Sequence, residues 1–132
     1  MNQKGTLNLA RQVAQAGARR FVCASSIHAV LDFSFGGASI KPETSPMPAE
    51  PYGQTKLAEE LVLRSISKEN ENEVVIIRPP LVYGPGVKGN LRSLLILVDK
   101  GLPFPHSALN KNKRNYVTLS NLIDLLIRCV EH

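Results

Sequence analysis

Two short apolar runs limit what this chain can fold into. Arg20-Phe21-Val22-Cys23-Ala24-Ser25-Ser26 ends in hydroxyls, and Glu73-Val74-Val75-Ile76-Ile77-Arg78-Pro79-Pro80 is stopped by prolines. Continuous apolar stretches of this length read as buried strands, and proline ends a strand because it has no N–H to donate. Between them, the segment from about 49 to 68 reads as a helix. Strand, helix, strand is one βαβ unit, the connection that joins parallel strands. In open parallel sheets ligands bind beyond the carboxyl ends of the strands. Ser26, Pro79 and Pro80 fall at those ends.

The intervening helix opens with Pro51-Tyr52-Gly53-Gln54-Thr55-Lys56. Tyr52 and Lys56 are four apart and so share one helix face. An ammonium beside a phenol favours the phenolate, which suits a tyrosine to proton transfer near neutral pH. By itself the pair is a common coincidence. Its place at the mouth of a βαβ unit is what gives it weight.

Six segments together resemble the extended short-chain dehydrogenase/reductases, in their nucleotide-sugar epimerase/dehydratase branch. In order they are Asn2 to Leu9, Phe21 to Ser26, Tyr52 to Lys56, Arg78-Pro79-Pro80-Leu81-Val82-Tyr83-Gly84-Pro85-Gly86, Gly89-Asn90-Leu91 and Arg114-Asn115-Tyr116-Val117. The resemblance implies an α/β fold, part of a Rossmann-like doubly wound parallel sheet. The glycine-rich βαβ half that opens that fold and cradles the pyrophosphate is expected to be missing. Residues 1–132 then form the C-terminal part of an NAD(P)-binding domain, with the start of a substrate-binding region at about 86–132, as in the middle of a longer enzyme.

The same resemblance assigns roles. Ser26, Tyr52 and Lys56 are the expected catalytic set: Ser26 binds the reacting oxygen, Tyr52 exchanges a proton with it, and Lys56 holds the phenolate and the nicotinamide ribose. Pro79 and Pro80 are expected against the nicotinamide ring, and Asn2 near the cofactor. Asn90 and Leu91 are expected to hold the nucleotide at a helix start, unless Asn90 is an ordinary N-cap. Arg114 is expected to grip a phosphate through its planar fork, unless it belongs to a solvated basic loop. Lys88 is a weaker candidate in that region, and Ser25 reads as structural or as a backbone contact to the cofactor. Leu81 departs from the family pattern, in which an asparagine often touches the substrate diphosphate. The implied cofactor is NAD, with NADP open, and the implied substrate a nucleotide sugar such as a UDP-sugar. The implied reaction is epimerisation, 4-keto reduction or dehydration. The alternatives are a dinucleotide-bound scaffold without catalysis and an inactive truncated piece. The helices at 3–16 and 49–68 are where family members pair as homodimers.

Composition narrows the rest. A net charge of +5 and 5% aromatic residues, with one dense basic cluster at Lys111, Lys113 and Arg114, make a poor nucleic-acid footprint. The charge suits an anionic nucleotide equally well. Cys23 and Cys129 lie in apolar runs and read as buried free thiols. No metal-ligand spacing is present, and the longest apolar stretch, Leu94 to Val98, is too short to span a bilayer. A cytoplasmic protein that binds neither membrane nor nucleic acid is inferred. The remaining expectations are a long irregular loop over 27–48, a loop over 79–89, a helix over 90–100, a short strand at Tyr116 and Val117, and a last helix capped by Ser120.

Overall fold

The computed structural model describes residues 2–32, 39–86, 90–101 and 115–132. Helix α1 spans Asn2–Gln15. It ends as glycine-terminated helices do. Gly17, at φ 79, donates to the Ala14 carbonyl at 3.0 Å, and the Ala18 N–H reaches Val13 at 3.1 Å. Strand β1 follows at Arg20–Ala24. A single 3-10 turn, Ile27–Ala29, occupies the start of the expected irregular loop.

Helix α2 runs Pro51–Asn70 and strand β2 Glu73–Ile77. Pro51 suits the first helical position, where its missing N–H has no intrahelical partner to lose. β1 and β2 pair in parallel, from Arg20 with Glu73 through Ala24 with Ile77. The ladder continues past the strands: Ser25 N–H donates to Ile77 at 2.7 Å and Ile27 N–H to Pro79 at 3.1 Å. The parallel βαβ unit expected from the sequence is therefore present.

The core lies between α1, α2 and this sheet. Ala10, Leu63 and Ile66 are buried, with Leu7, Ala14, Phe21, Cys23, Val62 and Val74 packed on them. Leu61 is 60% exposed, and Leu9 on α1 is 54% exposed. The inward face of α2 follows 59, 60, 63 and 66, a three- and four-residue repeat that leaves 61 on the outer side.

The loop expected over 79–89 contains a strand, β3 (Leu81–Tyr83), which pairs in parallel with β4 (Tyr116–Thr118). β4 fulfils the expected short strand at Tyr116 and Val117, while the three residues of β3 sit among prolines and glycines that read as loop. Helix α3 covers Asn90–Asp99 and α4 Leu119–Glu131. The cap of α4 is Thr118, whose Oγ1 accepts from the Asn121 N–H at 3.1 Å, not Ser120. Ser120 lies inside the first turn.

Gly84, Gly86 and Gly89 do stand at the G-x-G-x-x-G spacing. The strand before them has three residues and joins β4 rather than the β1–β2 sheet. It lacks the long central strand that a dinucleotide cradle needs.

Candidate functional site

The carboxyl ends of β1 and β2 collect most of the expected residues. Ser26 is buried and caps the 3-10 turn, its Oγ accepting from the His28 N–H at 3.2 Å. Tyr52 lies in the first turn of α2, 57% exposed. The His28 ring meets the Tyr52 ring edge-on, with centroids 6.1 Å apart and planes at 70°. One residue, His28, thus touches both Ser26 and Tyr52. Pro79 is tied to the same place by its carbonyl, which accepts from Ile27, and Pro79 and Pro80 are half-buried.

Gly53 makes this junction possible. A Cβ there would stand 2.3 Å from the His28 carbonyl oxygen and 2.8 Å from Pro48 Cβ. Only glycine lets α2 come this close to the turn.

Lys56 sits one turn below Tyr52. Its Nζ contacts Glu59 Oε2 at 3.0 Å. Burial pushes the Lys56 ammonium down, but the Glu59 carboxylate, with Tyr52 and Cys23 behind it, outweighs burial and holds it above its ordinary value. The charge that the sequence assigns to the tyrosine alone is shared with a carboxylate. Burial pushes the Cys23 thiol up, against the pull of Lys56, so Cys23 is a poor nucleophile.

Beside this lies a structural network. Glu60 accepts from Ser25 Oγ at 2.5 Å, and from Arg78 through Nε at 3.0 Å and Nη2 at 2.6 Å. Ser25 Oγ thus ties the end of β1 to α2. The fork from Arg78 clamps the end of β2 to α2.

Sequence reasoning misses four residues of this neighbourhood: His28, Asp32, Glu59 and Glu60. Glu59 and Glu60 carry a signal, three and four positions after Lys56 on one helix face. His28 and Asp32 carry none, because the contacts that bring them to the site, with Tyr52 and with the Ala49 and Glu50 N–H groups, are distant in sequence. Asn2 begins α1, and Asn90 and Leu91 open α3. The side chains of all three lie outside the described ones, as do Arg114 and Lys88 altogether. Leu81 lies in β3, partly exposed. Among the described residues no group of three or more His, Cys, Asp or Glu could hold a metal ion, and no helix is long and apolar enough to cross a membrane.

The family model described as the NAD dependent epimerase/dehydratase family matches residues 1–132. The UDP-glucose 4-epimerase of Vibrio cholerae is 42% identical over 132 residues, covering 100% of this chain and 40% of that protein. Among solved structures, the Thermus thermophilus UDP-glucose 4-epimerase complex with NAD superposes with a TM-score of 0.77 at 24% identity, covering 97% of this chain and 44% of that one. MoeE5 in complex with UDP-glucuronic acid and NAD gives a TM-score of 0.74 at 29% identity, covering 96% and 43%. The chain thus spans well under two thirds of the length of these relatives.

Proposed function

Because the chain belongs to the NAD-dependent epimerase/dehydratase family, we propose that it carries the proton-transfer half of a nucleotide-sugar active site. Ser26, Tyr52 and Lys56 act together there on a UDP-sugar. The observation that carries this reading is the junction at His28, which holds Ser26 and Tyr52 in one cluster above Lys56.

The residues suit the NAD that the family requires. Lys56 offers three N–H donors, of which Glu59 takes one. The others are free for a ribose hydroxyl and for the Tyr52 oxygen. Pro79 and Pro80 offer apolar faces without N–H groups at the same strand end. Bound nicotinamide supplies hydride transfer at a sugar carbon.

The chain's own residues handle the proton. Ser26 Oγ accepts from the His28 N–H, so its own hydrogen remains free to donate to the sugar oxygen. Tyr52 takes the proton from that oxygen as a carbonyl forms, and returns it when the carbonyl is reduced. Lys56 keeps positive charge beneath the phenol throughout, because Glu59 stabilises its ammonium. Residues 1–132 form the C-terminal part of the dinucleotide domain, with the substrate region beginning at about 86. Asn90, Leu91 and Arg114 are the proposed nucleotide contacts. The protein pairs as a homodimer through α1 and α2, a reading supported by the exposed Leu9 and Leu61.

The test is Tyr52→Phe in the full-length protein. Turnover of a UDP-sugar is expected to fall by roughly two orders of magnitude with NAD affinity unchanged, the scale of losing a general acid/base. Near-normal turnover would remove Tyr52 from the mechanism.

A further inference from the structure

Asp32 is a carboxylate whose side chain is 4% exposed, at the start of the loop that returns to α2. Its Oδ2 accepts the Ala49 N–H at 2.7 Å and the Glu50 N–H at 2.9 Å. Its Oδ1 is buried and has no hydrogen-bond partner. The polar group facing that oxygen is His28 Nδ1, 3.5 Å away. The two backbone N–H groups, Glu50 foremost, with His28 beside them, hold the Asp32 carboxyl below its ordinary range against the pull of burial. A buried carboxylate oxygen without a partner favours an N–H directed at it. A neutral imidazole with its hydrogen on Nδ1 satisfies that oxygen best, and this tautomer leaves Nε2 as an acceptor.

His28 is also fixed from its backbone. Its N–H is bound to Ser26 Oγ and its carbonyl is pressed on Gly53. Its side chain stays 47% exposed, edge-on to Tyr52. A sugar hydroxyl bound to the Tyr52 oxygen brings the neighbouring ring hydroxyls within reach of whatever polar atom borders that tyrosine. The one bordering side chain with a free hydrogen-bonding nitrogen, among the described residues, is His28.

We propose that His28 is a sugar-reading residue, which accepts a ring hydroxyl of the nucleotide sugar through Nε2 and is oriented for it by Asp32. The proposal rests on the Ser26–Tyr52–Lys56 reading above. It assigns His28 to the sugar and not to the nucleotide, and Asp32 acts only through His28.

Calorimetric titration of the full-length, NAD-loaded protein with UDP-glucose and with UDP separates these roles. His28→Ala is expected to weaken UDP-glucose about tenfold, the scale of one lost polar hydrogen bond, while UDP binding stays unchanged. His28→Gln, which keeps an acceptor, is expected to recover part of the loss. Asp32→Asn is expected to weaken UDP-glucose alone, by less. Unchanged UDP-glucose affinity in His28→Ala overturns the proposal, and so does equal weakening of UDP-glucose and UDP, which marks a structural role. Failure of the unaltered protein to bind UDP-glucose overturns both this proposal and the reading beneath it. Near-normal turnover by Tyr52→Phe overturns that reading by itself, whatever the pattern at His28.

Discussion

At the scale of single residues, two positions decide whether the site can assemble. Gly53 sits inside a helix, where alanine would ordinarily gain about 1 kcal/mol. Here an added Cβ meets backbone, the His28 carbonyl, at 2.3 Å, and overpacking of this kind costs about 1–3 kcal/mol. The clash outweighs the propensity. Gly53→Ala is expected to lower the melting temperature and to reduce turnover by displacing His28. A more stable, fully active variant would show that the turn yields freely. The second position is Glu60, whose side chain is 1% exposed. Burial pushes its carboxyl up, and the bonds from Arg78 and Ser25 outweigh burial and hold it below its ordinary value. A depressed carboxyl stabilises the fold above the unfolded value of about 4.3 and stops doing so as the pH falls through the folded one. The melting temperature should therefore drop on acidification below about pH 4.3. Arg78→Met should cost about 3 kcal/mol at neutral pH by leaving a buried charge alone, and should flatten that acid dependence. Thermal melts from pH 7 to 3 on both proteins would check this, and identical pH profiles would exclude the pair as its source.

The elements divide by how local their causes are. α1 and α2 were legible from spacing because three- and four-residue repeats record a buried face. Their bounds, Asn2–Gln15 and Pro51–Asn70, differ from the sequence reading by at most a few residues. Which leucines turn outward was not legible, since Leu9 and Leu61 fit an apolar stripe yet lie off the face that meets the sheet. Their exposure carries a prediction for the helix pair. Leu61→Glu in the full-length protein should shift sedimentation from dimer towards monomer, because a charge in an apolar interface loses its hydration. An unchanged dimer would place the interface elsewhere. The short strand at Tyr116 and Val117 was legible as β4, but β3 escaped notice because it holds three residues and exists through its pairing with β4. Capping at Thr118 rather than Ser120 turned on backbone angles two residues apart, which composition does not encode.

At the scale of the whole molecule, α4 leaves apolar side chains in water. Ile123, Leu125, Ile127 and Val130 are exposed, and Val22, Leu126, Ile127 and Val130 line a groove between α4 and β1. An apolar surface of this kind promotes association. The 132 residues produced by themselves should self-associate as concentration rises, and Ile127→Lys should lessen it. Strictly monomeric behaviour across concentrations would contradict this. No glycine-rich cradle is built on the β1–β2 sheet among the described residues, and that cradle supplies much of a dinucleotide's grip. NADH should accordingly bind these residues no more tightly than about millimolar. Micromolar binding by calorimetry would reveal a site elsewhere in the chain. By itself, the sequence determined the βαβ unit, the helix face shared by Tyr52 and Lys56, and the family, because periodicity and ordered motifs are local records. Tertiary structure alone decided that His28 meets Tyr52, that Asp32 binds the Ala49 and Glu50 N–H groups ahead of α2, and that Glu60 and Arg78 lock the helix to the sheet. Those pairs meet across a packed interface, and the side chains that meet there are set by how α2 lies on the strands rather than by their spacing along the chain.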